Sequence, residues 1–273
     1  MKLGIPDELK GQELFKFLKE NKSILTAQKK QVFKYADATH VSGLFINSKG
    51  EITKSNNPVP EDVSTLKVSS VINTTNWFDS HSDVHIPGLW KKSLQENKSL
   101  YLLQEHQLTF AGIISDEVQA MTKNMLWTDL GIDVPGYSEA LIFNSNVTAT
   151  RNPFMFNEYK LGRVKNHSVG MRYLNIEMAI NNDSKYYIDE FEVWNKYIDQ
   201  IANKQDAMDN GYFWAVKEAR VVEGSAVPIG SNIVTPTLDN NMKSTVEQPS
   251  FDTPKQPQES FMDLIKQTKF IHI

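Results

Sequence analysis

From His40 to Pro228 the chain is written as short apolar runs broken by Gly, Pro, Asn and Asp. That texture limits the fold more than any other feature. Runs of this length suit half-buried strands, and turn residues at such intervals suit a barrel or sandwich. Val41 to Ile46 and Glu51 to Thr53 flank Ser48-Lys49-Gly50, a hairpin signature. Leu66 to Thr74, Ser99 to Gln104, Phe110 to Ile114, Gln119 to Leu126 and Ala140 to Thr148 read as further strands. Ser168 to Ile180 and Tyr212 to Val222 complete the set. Helices interrupt at Leu89 to Leu94, from Asn152-Pro153 to about Lys160, and from Ile188 to about Met208, where Phe191, Trp194, Tyr197, Ile198 and Ile201 form one apolar stripe. The expected class is α+β with a β-barrel core surrounded by helices.

The flanks differ from this centre. Residues 1–39 read as a helical extension, with Pro6 and Asp7 as start signals and a ragged stripe of Leu9, Leu14, Phe15 and Leu18. A second helix from Thr26 to Ala36 is polar enough, like the first, to be an appendage rather than core. Residues 40–234 form the main domain. Residues 235–273 form a tail, because Thr235 to Gln258 carries too few large apolar groups to order itself. From Ser260 to Ile265 an amphipathic pattern returns, as a docking peptide, a removable tail or a frayed terminus.

Composition removes several kinds of chemistry. The chain has no cysteine, hence no disulfide framework, thiolate zinc site or cysteine nucleophile. A net charge of −4 gives no reason to expect nucleic-acid binding, which usually shows as a basic face. The opening residues Met1 to Pro6 lack the apolar region of a signal peptide, and no run reaches the ~18 apolar residues of a membrane span. A soluble, cytosolic, non-secreted protein is the default expectation, with no membrane partner.

Two strings carry the candidate chemistry. His106 follows the apolar Tyr101 to Gln104, so a strand would deliver its imidazole to the strand end, where it can move a proton near neutral pH. Ser168 lies in Asn166-His167-Ser168-Val169-Gly170-Met171, and Gly170 lets a substrate approach without a Cβ in the way. Taken singly, each residue equally suits an ordinary strand position. The pair still requires a group to orient the histidine. Glu223 is the first choice, with Glu218, His81, His85 and His167 as rivals. His167 is disfavoured, because neighbours on a strand point to opposite faces. The string from Asp79 to His85 places His81, Asp83 and His85 on one strand face, but it finds no further ligand beyond His106. No metal and no cofactor is therefore expected.

Taken in order, four segments resemble the prohead serine protease family of tailed bacteriophages. These are Ser82-Asp83-Val84-His85-Ile86-Pro87-Gly88, then Leu102 to His106 with Gly112 beyond, then Gly162 to Gly170, and finally Glu223-Gly224-Ser225-Ala226-Val227-Pro228. Ser82 stands where the pattern has glycine, and Gly230-Ser231-Asn232 where it ends in Pro-Ala-Asn. The resemblance implies a fold like the herpesvirus capsid-maturation protease and a serine endopeptidase activity. Ser168 would be nucleophile, His106 base and Glu223 orienting acid, with Val169, Gly170 and Arg172 serving the oxyanion and substrate. It implies that scaffold protein, the delta domain of the major capsid protein and the protease itself are substrates. Cleavage would occur inside the assembling prohead in the host cytoplasm, with a homodimer as one arrangement left open. The alternative is a non-catalytic protein that binds capsid or scaffold during assembly.

Overall fold

The computed structural model describes residues 4–31, 34–35, 45–46, 52–53, 63–96, 99–228 and 237–239. Helices α1 (Gly11–Glu20) and α2 (Lys22–Gln31) come first, followed by strands β1 (Lys34–Tyr35), β2 (Phe45–Ile46), β3 (Ile52–Thr53), β4 (Thr65–Thr74) and β5 (Asp83–His85). Helix α3 (Lys91–Glu96) leads to β6 (Leu102–Gln104), β7 (Ile113–Ser115), β8 (Val118–Leu126) and β9 (Tyr137–Thr148). Helix α4 (Pro153–Lys160) precedes β10 (Asn166–Ile180). Helices α5 (Ile188–Tyr197) and α6 (Lys204–Asn210), then β11 (Tyr212–Val227) and β12 (Thr237–Asp239), complete the order. The class is mixed α+β. No helix among the described residues is long and apolar enough to cross a membrane.

The expected barrel gives way, among the described residues, to two main sheets and a small hairpin. One sheet runs β1-β10-β11-β6-β7, with β5 also on β11. The other runs β12-β4-β9-β8, and β2 pairs with β3. Strands β10 and β11 form the longest antiparallel ladder, while β5 and β6 each join the far edge of β11 in parallel. The sheets meet face to face around Leu66, Ile72, Phe143, Val169, Met171 and Val221. Gly224 marks the closeness of that contact. A Cβ there would lie 2.7 Å from the Phe143 ring and 3.0 Å from Ile72.

Several expectations need correcting. The first two helices are not an appendage: Leu18 and Leu25 are buried in the main core. Lys29 is 1% exposed, bonds to Asp83, and lies 5.3 Å from the centre of the Trp214 ring. Burial of an ammonium is tolerated because its charge is matched. The helix expected from Ile188 to Met208 is broken after Tyr197, and Asn203 bonds through its side chain to the backbone N–H and C=O of Phe78. The strand ending at Val222 by sequence continues to Val227. The segment after residue 235 supplies β12, which pairs with Ser69 and Ser70 of β4. The described residues all fall within one compact unit. The expected amphipathic segment near the C-terminus and the Ser48-Lys49-Gly50 turn lie outside the described residues.

Candidate active site

Strand β6 is short because Glu105 and His106 leave it in a tight turn. Both adopt left-handed backbone, with φ of 49° and 59°. This conformation is costly for residues bearing a Cβ and persists only where the surroundings enforce it. The neighbouring strand enforces it here. The Glu105 N–H donates to the Ala226 carbonyl at 3.0 Å, and the His106 N–H to Ser225 Oγ at 3.1 Å. The loop closes when Gln104 N–H donates to the Gly112 carbonyl at 2.7 Å. A Cβ on Gly112 would lie 2.1 Å from the Gln107 carbonyl oxygen, so only glycine fits that closure.

Beneath this turn lie β10 and β11. Their register places Ser168 opposite Ser225 and Gly170 opposite Glu223. Cross-strand partners share a face, so all four occupy the side turned away from Val169, Met171 and the apolar core. His106 joins them from above. Its Nε2 lies 2.8 Å from Ser168 Oγ and its Nδ1 2.7 Å from Glu223 Oε1. An ionised carboxylate only accepts hydrogen bonds, so neutral imidazole carries its proton on Nδ1 and leaves Nε2 to accept from the Ser168 hydroxyl. Ser225 Oγ donates to the second carboxylate oxygen, Glu223 Oε2, at 2.6 Å. The site is sheltered: Ser168 is 1% exposed, Glu223 2% and the His106 side chain 12%.

The structure therefore brings together His106, Ser168 and Glu223. Val169 contributes its side chain to the core, so only its backbone is available to a ligand. Gly170 has a steric reason within the protein besides the expected one. A Cβ there would lie 2.0 Å from Glu223 Oε1, so this glycine makes room for the carboxylate. Arg172 is exposed farther along β10, opposite Arg220.

The rivals to Glu223 sit elsewhere. Glu218 pairs with Lys92 at 3.3 Å. His167 points to the other face of β10, where its Nε2 lies 2.9 Å from the Tyr159 hydroxyl. Burial pushes that phenol well above its ordinary range. His81 is exposed, and His85 bonds Asn73 and Tyr173, each at 3.1 Å. Asp83 binds Lys29 and accepts from the Tyr173 hydroxyl at 2.8 Å, so this string builds an internal polar network. Burial and the adjacent Asp83 carboxylate hold the Tyr173 phenol well above its usual range. Among the described residues no three His, Asp or Glu side chains are placed to hold a metal ion.

Sequence reasoning gave no role to Ser225. Its signal was available: two residues beyond Glu223 on a strand, it must share that residue's face. A hydroxyl, an imidazole and a carboxylate linked in this order can transfer the serine proton to the imidazole and stabilise the resulting imidazolium. No family model, curated protein or solved structure matches the chain.

Proposed function

We propose that the chain is a serine endopeptidase of the prohead protease type, acting through an acyl-enzyme. The observation that carries this is the continuous link from Ser168 Oγ through His106 to Glu223, at 2.8 Å and 2.7 Å. Ser168 Oγ attacks the scissile carbonyl while His106 Nε2 takes its proton. The tetrahedral oxyanion accepts from backbone N–H groups near Val169 and Gly170, with Arg172 as a further cation along the strand. Collapse breaks the C–N bond, and His106 returns the proton to the leaving amine. Water then repeats the sequence, and the acyl group departs as a carboxylic acid. Glu223 holds the Nδ1 tautomer throughout.

The order of the four sequence segments supports the biological role. In this reading the substrates are scaffold protein, the major capsid protein's delta domain and the chain itself, cut inside the prohead in the host cytoplasm. A likeness of the two packed sheets to the herpesvirus capsid-maturation protease belongs to the same reading. The non-catalytic assembly protein draws on one observation, the near-complete cover over Ser168. Peptide entry requires that cover to open.

A fluorophosphonate probe separates the two, since it reports an activated serine without knowledge of the substrate. Mass spectrometry should find the full chain phosphonylated at Ser168, with Ser168→Ala unlabelled and His106→Ala slower by on the order of 10⁴. Mixed peptides incubated with the wild-type chain should show new termini that Ser168→Ala does not produce. An unlabelled wild-type chain, or labelling confined to another residue, would refute the peptidase.

A further inference from the structure

We infer that Ser225 is a positioning residue that locks both the ring and the backbone of His106. The inference rests on the peptidase reading and assigns a fourth member to the same site. Three contacts carry it. Ser225 Oγ donates its single proton to Glu223 Oε2 at 2.6 Å. The same oxygen accepts from the His106 N–H at 3.1 Å. Glu223 Oε1 accepts from His106 Nδ1 at 2.7 Å. The bonds form a closed circuit that leaves His106 by its backbone and returns by its ring.

Each link removes one freedom. With one oxygen held by Ser225 and the other by His106, the carboxylate cannot rotate about its terminal bond without losing a partner. With its N–H held, the His106 backbone stays at the positive φ that directs the ring down onto Ser168. Only a hydroxyl meets both demands at this position, because it donates one hydrogen bond while accepting another. Alanine does neither, and a thiol does both weakly. Ser225 faces Ser168 directly across the ladder. Its own proton is committed to a carboxylate rather than to a base, so it does not compete as nucleophile. It acts on the reaction only through His106 and Glu223.

The test uses the full chain and measures fluorophosphonate modification of Ser168 over a range of probe concentrations. Ser225→Ala should lower the maximal rate about 10- to 100-fold, the range expected when a buried donor and acceptor lose their partner. The half-saturating concentration should not change. Ser225→Cys, which fills the site with a weak donor and acceptor, should fall in the same range with an unchanged circular dichroism spectrum. Ser225→Thr should recover to within about threefold of wild type. The far-downfield proton resonance of His106 Nδ1–H should appear in wild type and Ser225→Thr and be lost in Ser225→Ala. Wild-type rates in Ser225→Ala or Ser225→Cys would overturn the inference, as would a folded Ser225→Thr as slow as alanine. A wild-type chain that never labels at Ser168 is a different failure: it removes the peptidase reading, and this inference with it.

Discussion

Gly170→Ala tests the geometry of the site without touching a polar group. The added Cβ would lie 2.0 Å from Glu223 Oε1, 2.7 Å from Cδ and 2.9 Å from Cγ. Ordinary contact needs about 3.5 Å, so the carboxylate must retreat by roughly 1.5 Å. The Nδ1–Oε1 bond of 2.7 Å would then pass beyond about 3.5 Å, where it no longer counts as one. Misplacing a catalytic group by 1 Å costs about 10²-fold, and losing the orienting acid altogether about 10⁴-fold. The variant should therefore phosphonylate Ser168 between about 10² and 10⁴ times more slowly than wild type, with overpacking costing a further 1–3 kcal/mol or so of stability. The assay is the labelling rate at saturating probe, with melting temperature measured in parallel. Gly170→Ala/Glu223→Ala should regain stability but not rate, because the clash and the acid leave together. If Gly170 instead exists to admit substrate, the single variant would raise the half-saturating concentration and leave the maximal rate intact. That result, or a folded Gly170→Ala at the wild-type rate, would refute the steric argument.

Two further outcomes concern the helices at the start of the chain. Lys29→Met should destabilise the protein by about 3–5 kcal/mol, since it leaves the Asp83 carboxylate buried without its cation. Adding Asp83→Asn should restore much of that loss, and an unchanged melting temperature in Lys29→Met would show that the ion pair does not hold α2. Burial raises the Glu190 carboxyl, but the ammonium groups of Lys19 at 2.6 Å and Lys22 at 2.5 Å draw it below its ordinary value overall. Its folded pKa is thus below the unfolded one, so its stabilisation is present above the usual carboxylate range and lost as pH falls through the folded value. Denaturant titrations from about pH 5 to pH 3 should show Glu190→Gln losing less stability on acidification than wild type. Parallel curves would contradict this.

Much of the strand order was legible because apolar alternation is a local signal. Leu66 to Thr74, Ala140 to Thr148 and Ser168 to Ile180 all fall within observed strands. The end of β11 was not legible. Glu223, Gly224 and Ser225 lie beyond the apolar run read as ending at Val222, yet all three are strand residues. The polar side chains of Glu223 and Ser225 are matched by each other and by His106, which lies 117 positions from Glu223, and no window on the sequence contains both. Lys29 failed to announce its burial for the same reason, since its partner Asp83 is 54 residues away. The break in the helix from Ile188 follows from Asn203 reaching the Phe78 backbone, a tertiary contact that overrides helical periodicity. His106 and Ser168 could be nominated from the sequence. Their meeting depends on the left-handed turn at Glu105 and His106, which neither residue type favours.

That turn also bears on what the arrangement is for. On the core side of β11 the sequence obeys packing alone: Gly224 admits Phe143, and Val221 is buried among apolar neighbours. On the other side, the turn after β6 holds two consecutive L-residues at positive φ over Ser168, Glu223 and Ser225, which are sheltered from water. A structural need for cover would be met more cheaply by apolar side chains, because a buried polar group stabilises little even when paired. The hydrogen bonds that satisfy the group leave one polar sequence, from hydroxyl through imidazole to carboxylate, with its reactive end on Ser168. Two consecutive L-residues at positive φ above paired polar groups that packing does not require are local exceptions of the kind that support the proposed site. Packing has no use for the direction of that chain, whereas proton transfer requires it.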